Sequence, residues 1–306
     1  MLISTDSIKN IAGQIEKRRN VFCSGLFLSA RWFTVSQFDH DGIQVIVMPD
    51  KDSAEYCAAD LYNLVDGDVV FFLPDSGRSL EKSNYKSSLG VQRTSAIGKI
   101  LEYKEGKLII VTYPSALEEG IPDVAKINDS IFKLSVGDEI SHEEIVQSLF
   151  DSGFERTDFV SEPGQFAIRG AIVDIFSYSY NNPFRISFFG DEIESINVFD
   201  CNTQLSKEKV VSAEIYPDIV AGESDETLVQ ITSILPKETL LWLDSSDMYK
   251  DKSFFSGLDI FRKIFLDLPL SRQNEEHVLF NISPQPVFNK NFELLTEDIR
   301  KRLEEG

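Results

Sequence analysis

Gln165-Phe166-Ala167-Ile168-Arg169-Gly170-Ala171-Ile172-Val173-Asp174-Ile175-Phe176 reads as strand, and its neighbours on both sides read the same way. Phe154 to Val160 (FERTDFV), Pro183 to Phe189 (PFRISFF) and Glu192 to Asp200 (EIESINVFD) are rich in aromatic and β-branched residues. Glu162-Pro163-Gly164, Asn181-Asn182-Pro183 and Gly190-Asp191 separate them as turn signals. Connections this short require antiparallel pairing. Just upstream, Ser141-His142-Glu143-Glu144 has the form of a capping box. Ile145, Val146, Leu149 and Phe150 follow as one apolar stripe, with Gly153 as the stop. Residues 126–206 therefore read as a small α+β module.

Working outward, the pattern changes on both sides. Before it, strand-like runs alternate with helical ones. The strands are Val21–Cys23, Ile43–Met48, Asp68–Leu73 and Leu108–Thr112. The helices are a stripe at Ile8, Ile11, Ala12 and Ile15, then Ser29–Gln37, a segment capped by Asp52 or Ser53 and running to Leu64, and Val91–Tyr103. After it, Val210–Ile215 and Thr239–Asp244 are strand-like, while Leu228–Leu235 and Phe292–Glu305 are helix-like. Short apolar strands alternating with helices indicate a parallel sheet covered on both faces. The expected fold class is α/β: a parallel-sheet domain in two pieces, 1–125 and 207–306, with the antiparallel module at 126–206 inserted between them. The last helical pattern runs into Gly306 without a stop, so the sequence reads as part of a longer protein.

Composition narrows the function. The chain has 306 residues and a net charge of −20, which argues against a broad grip on nucleic acid. With 42% hydrophobic residues and 23 Phe it is expected to bury a large core. No run approaches the length of a membrane span, and the N-terminus lacks the pattern of a secretory signal. Cys23, Cys57 and Cys201 are far apart and unpaired in pattern, as expected of buried thiols in a reducing cytoplasm. His40, His142 and His277 show no metal-ligand spacing, with His142 expected to be exposed in a first helical turn. Acid pairs such as Glu118-Glu119 read as solvated faces. No metal, cofactor or nucleophile motif is expected.

The segment after the first strand, Gly25-Leu26-Phe27-Leu28-Ser29-Ala30-Arg31-Trp32, has the frame of a phosphate-binding loop without its chemistry. Ala30 stands at the second glycine position, Arg31 at the lysine and Trp32 at the Mg²⁺-holding hydroxyl. Trp cannot ligate Mg²⁺. A loop that only packs is the expectation.

The unusual stretch is Phe150 to Asp200, which has no Lys and carries Arg156, Arg169 and Arg185 among eleven Phe or Tyr. Alternation places Phe166, Ile168 and Ile172 on one side of a strand with Arg169 opposite, and Phe184, Ile186 and Phe188 on one side of the next with Arg185 opposite. Two readings stand. Arg among aromatics suits protein recognition. The same Arg could instead pair with nearby acids such as Asp158, Glu162, Asp174 or Asp191.

Ser161 to Phe176 (SEPGQFAIRGAIVDIF), followed by Pro183 to Ile196 (PFRISFFGDEIESI), resembles the module shared by the bacterial transcription-repair coupling factors (Mfd) and the excision-repair helicase subunit UvrB. The resemblance covers essentially the whole chain, more weakly outside this module. It implies a degenerate helicase-like domain in two pieces, 1–125 and 207–306, with a UvrA-binding domain inserted at 126–206. Two features favour the coupling factor. The loop from Gly25 to Trp32 resembles that family's degenerate one. Pro74 to Gln92 holds one aromatic, Tyr85, and is too short for the tyrosine-rich DNA-inserting hairpin of UvrB. Gln285-Pro286 to Phe292 also resembles the coupling factor just before its polymerase-binding and motor regions.

The resemblance implies a non-catalytic adaptor that recruits the damage-recognition ATPase UvrA in nucleotide excision repair. The alternative is a UvrB-type ATP-dependent DNA-damage-binding helicase subunit. The family protein at full length is a DNA translocase, an activity not expected of this stretch. The UvrA contact carries over to Arg169, Arg156, Phe176 and Arg185. Further implied partners are RNA polymerase and a C-terminal masking domain of the same protein, both through regions outside this sequence. Direct DNA binding is expected to be weak or nil.

Overall fold

The computed structural model describes residues 5–17, 20–65, 69–76, 88–219, 228–244, 257–267, 276–282 and 288–305. The interval around Tyr85 and the Gln285-Pro286 pair lie outside the described residues.

A seven-stranded sheet is assembled from both ends of the chain. Its order is Val278–Leu279, Asn20–Ser24, Arg262–Phe265, Leu240–Leu243, Gly42–Val47, Lys107–Thr112 and Val70–Phe72. Every pairing in it is parallel. The strand near the N-terminus thus lies between two strands from beyond residue 260, and Phe22 stacks on Phe265 with ring centroids 4.7 Å apart.

Alternate residues of each strand enter two different cores, which is why these strands read as continuous apolar runs. On one face Val21, Ile46, Val111 and Trp242 pack against Thr5–Ile15, Ala30–Gln37 and Lys51–Leu64. On the other, Phe22, Val45, Ile110 and Leu243 pack against Ser88–Glu102, Pro114–Glu118 and Val124–Ser130. The third helix is capped by Asp50, two residues earlier than expected, because its carboxylate accepts the Ser53 amide at 2.8 Å.

The inserted module is a six-stranded sheet in the order Ser206–Val210, Glu192–Phe199, Phe184–Phe189, Ile172–Ile175, Gln165–Arg169 and Glu155–Arg156. Helix His142–Asp151 covers one face, opened by the expected capping box between Ser141 and Glu144 and followed by Gly153 at φ +77°. Ile145 and Leu149 meet Phe166, Val173, Ile186 and Ile196 in a core of their own. The module's two ends are zipped together, since Phe132–Ser135 pairs antiparallel with Ser212–Ile215. The strand content therefore runs past residue 206, the end expected from pattern, to Ile215.

Several local expectations are corrected. Gln165 to Phe176 is a hairpin of two strands rather than one strand. Glu155–Arg156 pairs parallel with Gln165–Phe166, not antiparallel, because the loop from Thr157 to Gly164 returns the chain in the same direction. The Gln165 carboxamide oxygen holds that loop by accepting the amides of Ser161 and Glu162. Leu228–Leu235 forms a two-residue strand and a short 3-10 turn, not a helix. His142 is half-buried against Phe188, at 5.8 Å between ring centroids, rather than exposed. Glu119 is half-buried and accepts from the Ser76 amide at 2.7 Å, so it belongs to the fold rather than to a solvated face. Cys23 and Cys57 are buried as expected, while Cys201 is half-exposed.

The module sits firmly on the parallel-sheet domain. Helix Ser88–Glu102 approaches it through Gly98, where any Cβ would press on the Ser179 side chain. The Thr94 hydroxyl accepts the Ile219 amide at 3.2 Å, and the Ser177 hydroxyl accepts the Tyr216 amide at 2.9 Å.

Candidate protein-docking site

Gly170 makes the site possible. It adopts φ +61° as the first central residue of a two-residue turn, Gly170-Ala171, where a left-handed conformation is required. The turn sets the register Phe166↔Ile175, Ala167↔Asp174, Ile168↔Val173 and Arg169↔Ile172. Phe166, Ile168, Val173 and Ile175 belong to the core under the helix. Ala167, Arg169, Ile172 and Asp174 point the other way. Ile172 therefore shares Arg169's face, opposite to its expected placement, because it lies on the returning strand.

The next strand completes the constellation. Arg185 pairs with Asp174 across the ladder, and Phe184, Ile186 and Phe188 are buried on the core side as expected. Asp174 is 1% exposed and is shared by two arginines. Arg185 donates Nε to Oδ1 at 2.8 Å and Nη2 to Oδ2 at 3.0 Å, while Arg169 donates Nη2 to Oδ2. A buried carboxylate needs such partners, since removing one member of a buried pair typically costs about 3–5 kcal/mol. Arg185 also reaches the Gln204 side chain at 3.2 Å and lies over the Phe199 ring at 4.2 Å. Its hydrogen bond to Asp174 raises its pKa above the ordinary arginine value, so the charge is fixed at every working pH.

The two arginines thus differ. The Arg185 side chain is 19% exposed and fully engaged within the sheet, whereas Arg169's is 36% exposed and reaches Asp174 through one nitrogen. Above Arg169 lies the ring of Phe159 at 5.3 Å, and Phe159 is 61% exposed. Asp174 pairs both arginines, as the acid-pairing reading expects, and Arg169 stays the more exposed of the two.

The other carried-over residues are not gathered there. Arg156 is exposed on the edge strand, and its ladder partner is core-facing Phe166, so it projects from the opposite face of the sheet from Arg169. Phe176 is 4% exposed and fills a small cluster with Val160, Ala167 and Phe199 beneath the loop. It supports the face from below. Sequence reasoning missed Phe159 and the sharing role of Asp174. The available signal for Phe159 was an aromatic in FERTDFV flanked by Asp158 and outside any alternating pattern. Nearby, Asp200 secures the turn after Phe199. Its carboxyl is held down to about 2 by the Thr203 amide first and Lys207 next.

The loop from Gly25 to Trp32 packs against the parallel-sheet domain. Gly25, at φ +78°, lies so close to the Phe280 carbonyl that no side chain fits. Ala30 and Arg31 open the second helix, and Trp32 is buried in the core at 8% exposure. Arg31 turns back to Asp244 at 2.5 Å and to the Leu26 carbonyl at 3.4 Å. Burial raises Asp244, and Arg31 opposes that rise. Among the described residues no cluster could hold a metal ion, and no helix is long and apolar enough to cross a membrane.

Comparison with known proteins agrees with this architecture. Residues 132–219 match the family model of the UvrB interaction domain. The chain is 30% identical over 218 residues to the transcription-repair-coupling factor of Bacillus subtilis, covering 70% of this chain and 18% of that protein. It is 23% identical over 283 residues to the transcription-repair-coupling factor of Staphylococcus aureus (strain USA300), covering 89% of this chain and 24% of that protein. The chain thus spans about a fifth to a quarter of the length of these relatives.

Proposed function

We propose that this chain, which carries a UvrB interaction domain and resembles the transcription-repair-coupling factors over most of its length, is a non-catalytic adaptor that docks UvrA. The observation that carries the proposal is Arg169. It stands on a rigid strand, anchored at one nitrogen by buried Asp174 and backed by exposed Phe159, with its remaining edge directed outward. Arg held in this way is pre-organised, so little side-chain entropy is lost when a partner carboxylate meets it. Arg185 is assigned to the fold, Phe176 to the support of the face, and Arg156 to a separate margin of the contact.

The adaptor reading is supported by the loop at Gly25 to Trp32, which Arg31 and Trp32 occupy themselves. The longer protein works in the cytoplasm, and its polymerase contact, its translocase activity and the masking of the UvrA face belong to other regions. The test is a binding titration of UvrA against the purified chain and its Arg169→Ala variant. The expected result is a complex with the wild type that the variant loses while its melting temperature falls by no more than about 3 °C. Absence of any complex with the wild type overturns the proposal. Micromolar ATP binding by the chain would instead support the UvrB-type alternative.

A further inference from the structure

Among the described residues, the helix Phe292–Glu305 contributes no side chain to any of the four hydrophobic cores. It is nonetheless amphipathic. At 3.6 residues per turn, Phe292, Leu295, Ile299 and Leu303 fall within about 80° of arc, the spacing of an element that buries one face. That face is open. Phe292 is 76% and Leu303 77% exposed, Ile299 is exposed, and Leu295 is half-buried. At 1.5 Å per residue the helix is about 21 Å long, and the stripe runs nearly its whole length. A helix this short draws most of its stability from packing such a face.

The charges beside the stripe suit the same helix running in the opposite direction. On one border Asp298 and Arg302 satisfy each other at 2.7 Å, one turn apart. On the other border stand Glu293 and Arg300, about 20° apart around the axis. They are two turns apart, whereas ion pairs within a helix form one turn apart. Both are exposed, and among the described residues neither has an ion-pair partner. Two copies related by a two-fold axis near Glu297 set Phe292 opposite the partner's Leu303 and Leu295 opposite the partner's Ile299. The same axis brings Glu293 beside the partner's Arg300, and every contact is made twice. A parallel pair sets Glu293 level with the partner's Glu293 and loses both ion pairs.

We infer that Phe292–Glu305 is a self-association helix, which pairs antiparallel with the same helix of a second copy of this chain. The apolar stripe forms the seam, and Glu293 with Arg300 fixes the direction of the pairing. Two helices of this length bury less than a standard interface, so the dimer is reversible and depends on concentration. The inference is independent of the UvrA reading.

The experiment is equilibrium sedimentation of the full chain over a concentration series, with melting temperatures measured in parallel. The samples are the wild type, Ile299→Glu, Glu293→Arg, Arg300→Glu, and an equimolar mixture of the last two. The mass of the wild type is expected to rise from one chain towards two. Ile299→Glu is expected to stay a single chain at unchanged melting temperature. Each charge variant alone is expected to associate about tenfold more weakly, because two attractive pairs become two repulsive ones. The mixture is expected to recover the wild-type affinity, since each Glu then meets an Arg again. A wild type that stays a single chain up to millimolar concentration overturns the inference. So does a dimer that Ile299→Glu leaves intact, or a mixture no tighter than the single variants. A melting temperature that falls with Ile299→Glu would mean that the stripe packs on its own chain, and overturns it as well.

Discussion

Arg185 grips both carboxylate oxygens of Asp174, at 2.8 and 3.0 Å, from the neighbouring strand. The consequence is an unequal division of labour with Arg169, which reaches the same carboxylate through one nitrogen. Arg185→Ala removes two hydrogen bonds to a buried charge and the stack on Phe199, so it is expected to cost about 3 kcal/mol of stability. Arg169→Ala leaves Asp174 with both Arg185 bonds and is expected to cost about 1 kcal/mol or less. Urea unfolding of the two variants checks the order. Equal losses would mean that Arg169 is a structural residue and would count against its role in docking.

The loop from Gly25 to Trp32 carries a separate prediction. Calorimetric titration with ATP and Mg²⁺ is expected to show no binding at millimolar nucleotide. Restoring the loop's residue types with Arg31→Lys and Trp32→Ser is not expected to create a site. Trp32 is core and Gly25 is pressed against the Phe280 carbonyl. Trp32→Ser alone is expected to cost about 3–5 kcal/mol, as removal of a buried aromatic does.

The thiols offer a chemical readout. Burial raises Cys23 to about 12 and raises Cys57 as well, while Cys201 is half-exposed. In the native state a thiol reagent near neutral pH is expected to label Cys201 and to spare the other two until unfolding. The sign for stability follows from the raised values. The contribution of Cys23 is complete below the free-thiol pKa of about 8.5 and declines as pH climbs toward 12. Stability measured between pH 8 and 11 is therefore expected to fall on the alkaline side, and less so in a Cys23→Ala variant.

Much of the fold could be read from residue patterns because its elements carry local signatures. Ser141 with Glu144 announced a helix start, and IQVIVM could only be a buried strand. Gln165 to Phe176 reads as a single strand because Phe166, Ile168 and Ile172 keep one period-2 spacing across Arg169-Gly170-Ala171. Gly170 was the one clue to the turn, and reversing there moved Ile172 to the other face. The Leu228–Leu235 pattern misleads because five apolar positions in eight residues are too few to tell a helix from an irregular segment. At the site, the arginines were visible as residue types. Their sharing of Asp174 was not, since it depends on cross-strand register, and neither was the outward position of Phe159, which lies on a loop.

The interleaving of the first strand between two strands from the far end of the chain imposes an order of events. Asn20–Ser24 has no lateral partner until Arg262–Phe265 and Val278–Leu279 have been made, whereas the inserted module contains all six of its strands between Glu155 and Val210 and ties its own ends at 132–135 and 212–215. Contacts so distant in sequence form slowly, and local ones form early. The module should therefore mature first, with the larger domain closing around its base afterwards. Pulse-labelled hydrogen exchange should find the amides of 184–199 protected before those of 20–24. The proposed docking surface would then be complete while its platform was still being assembled.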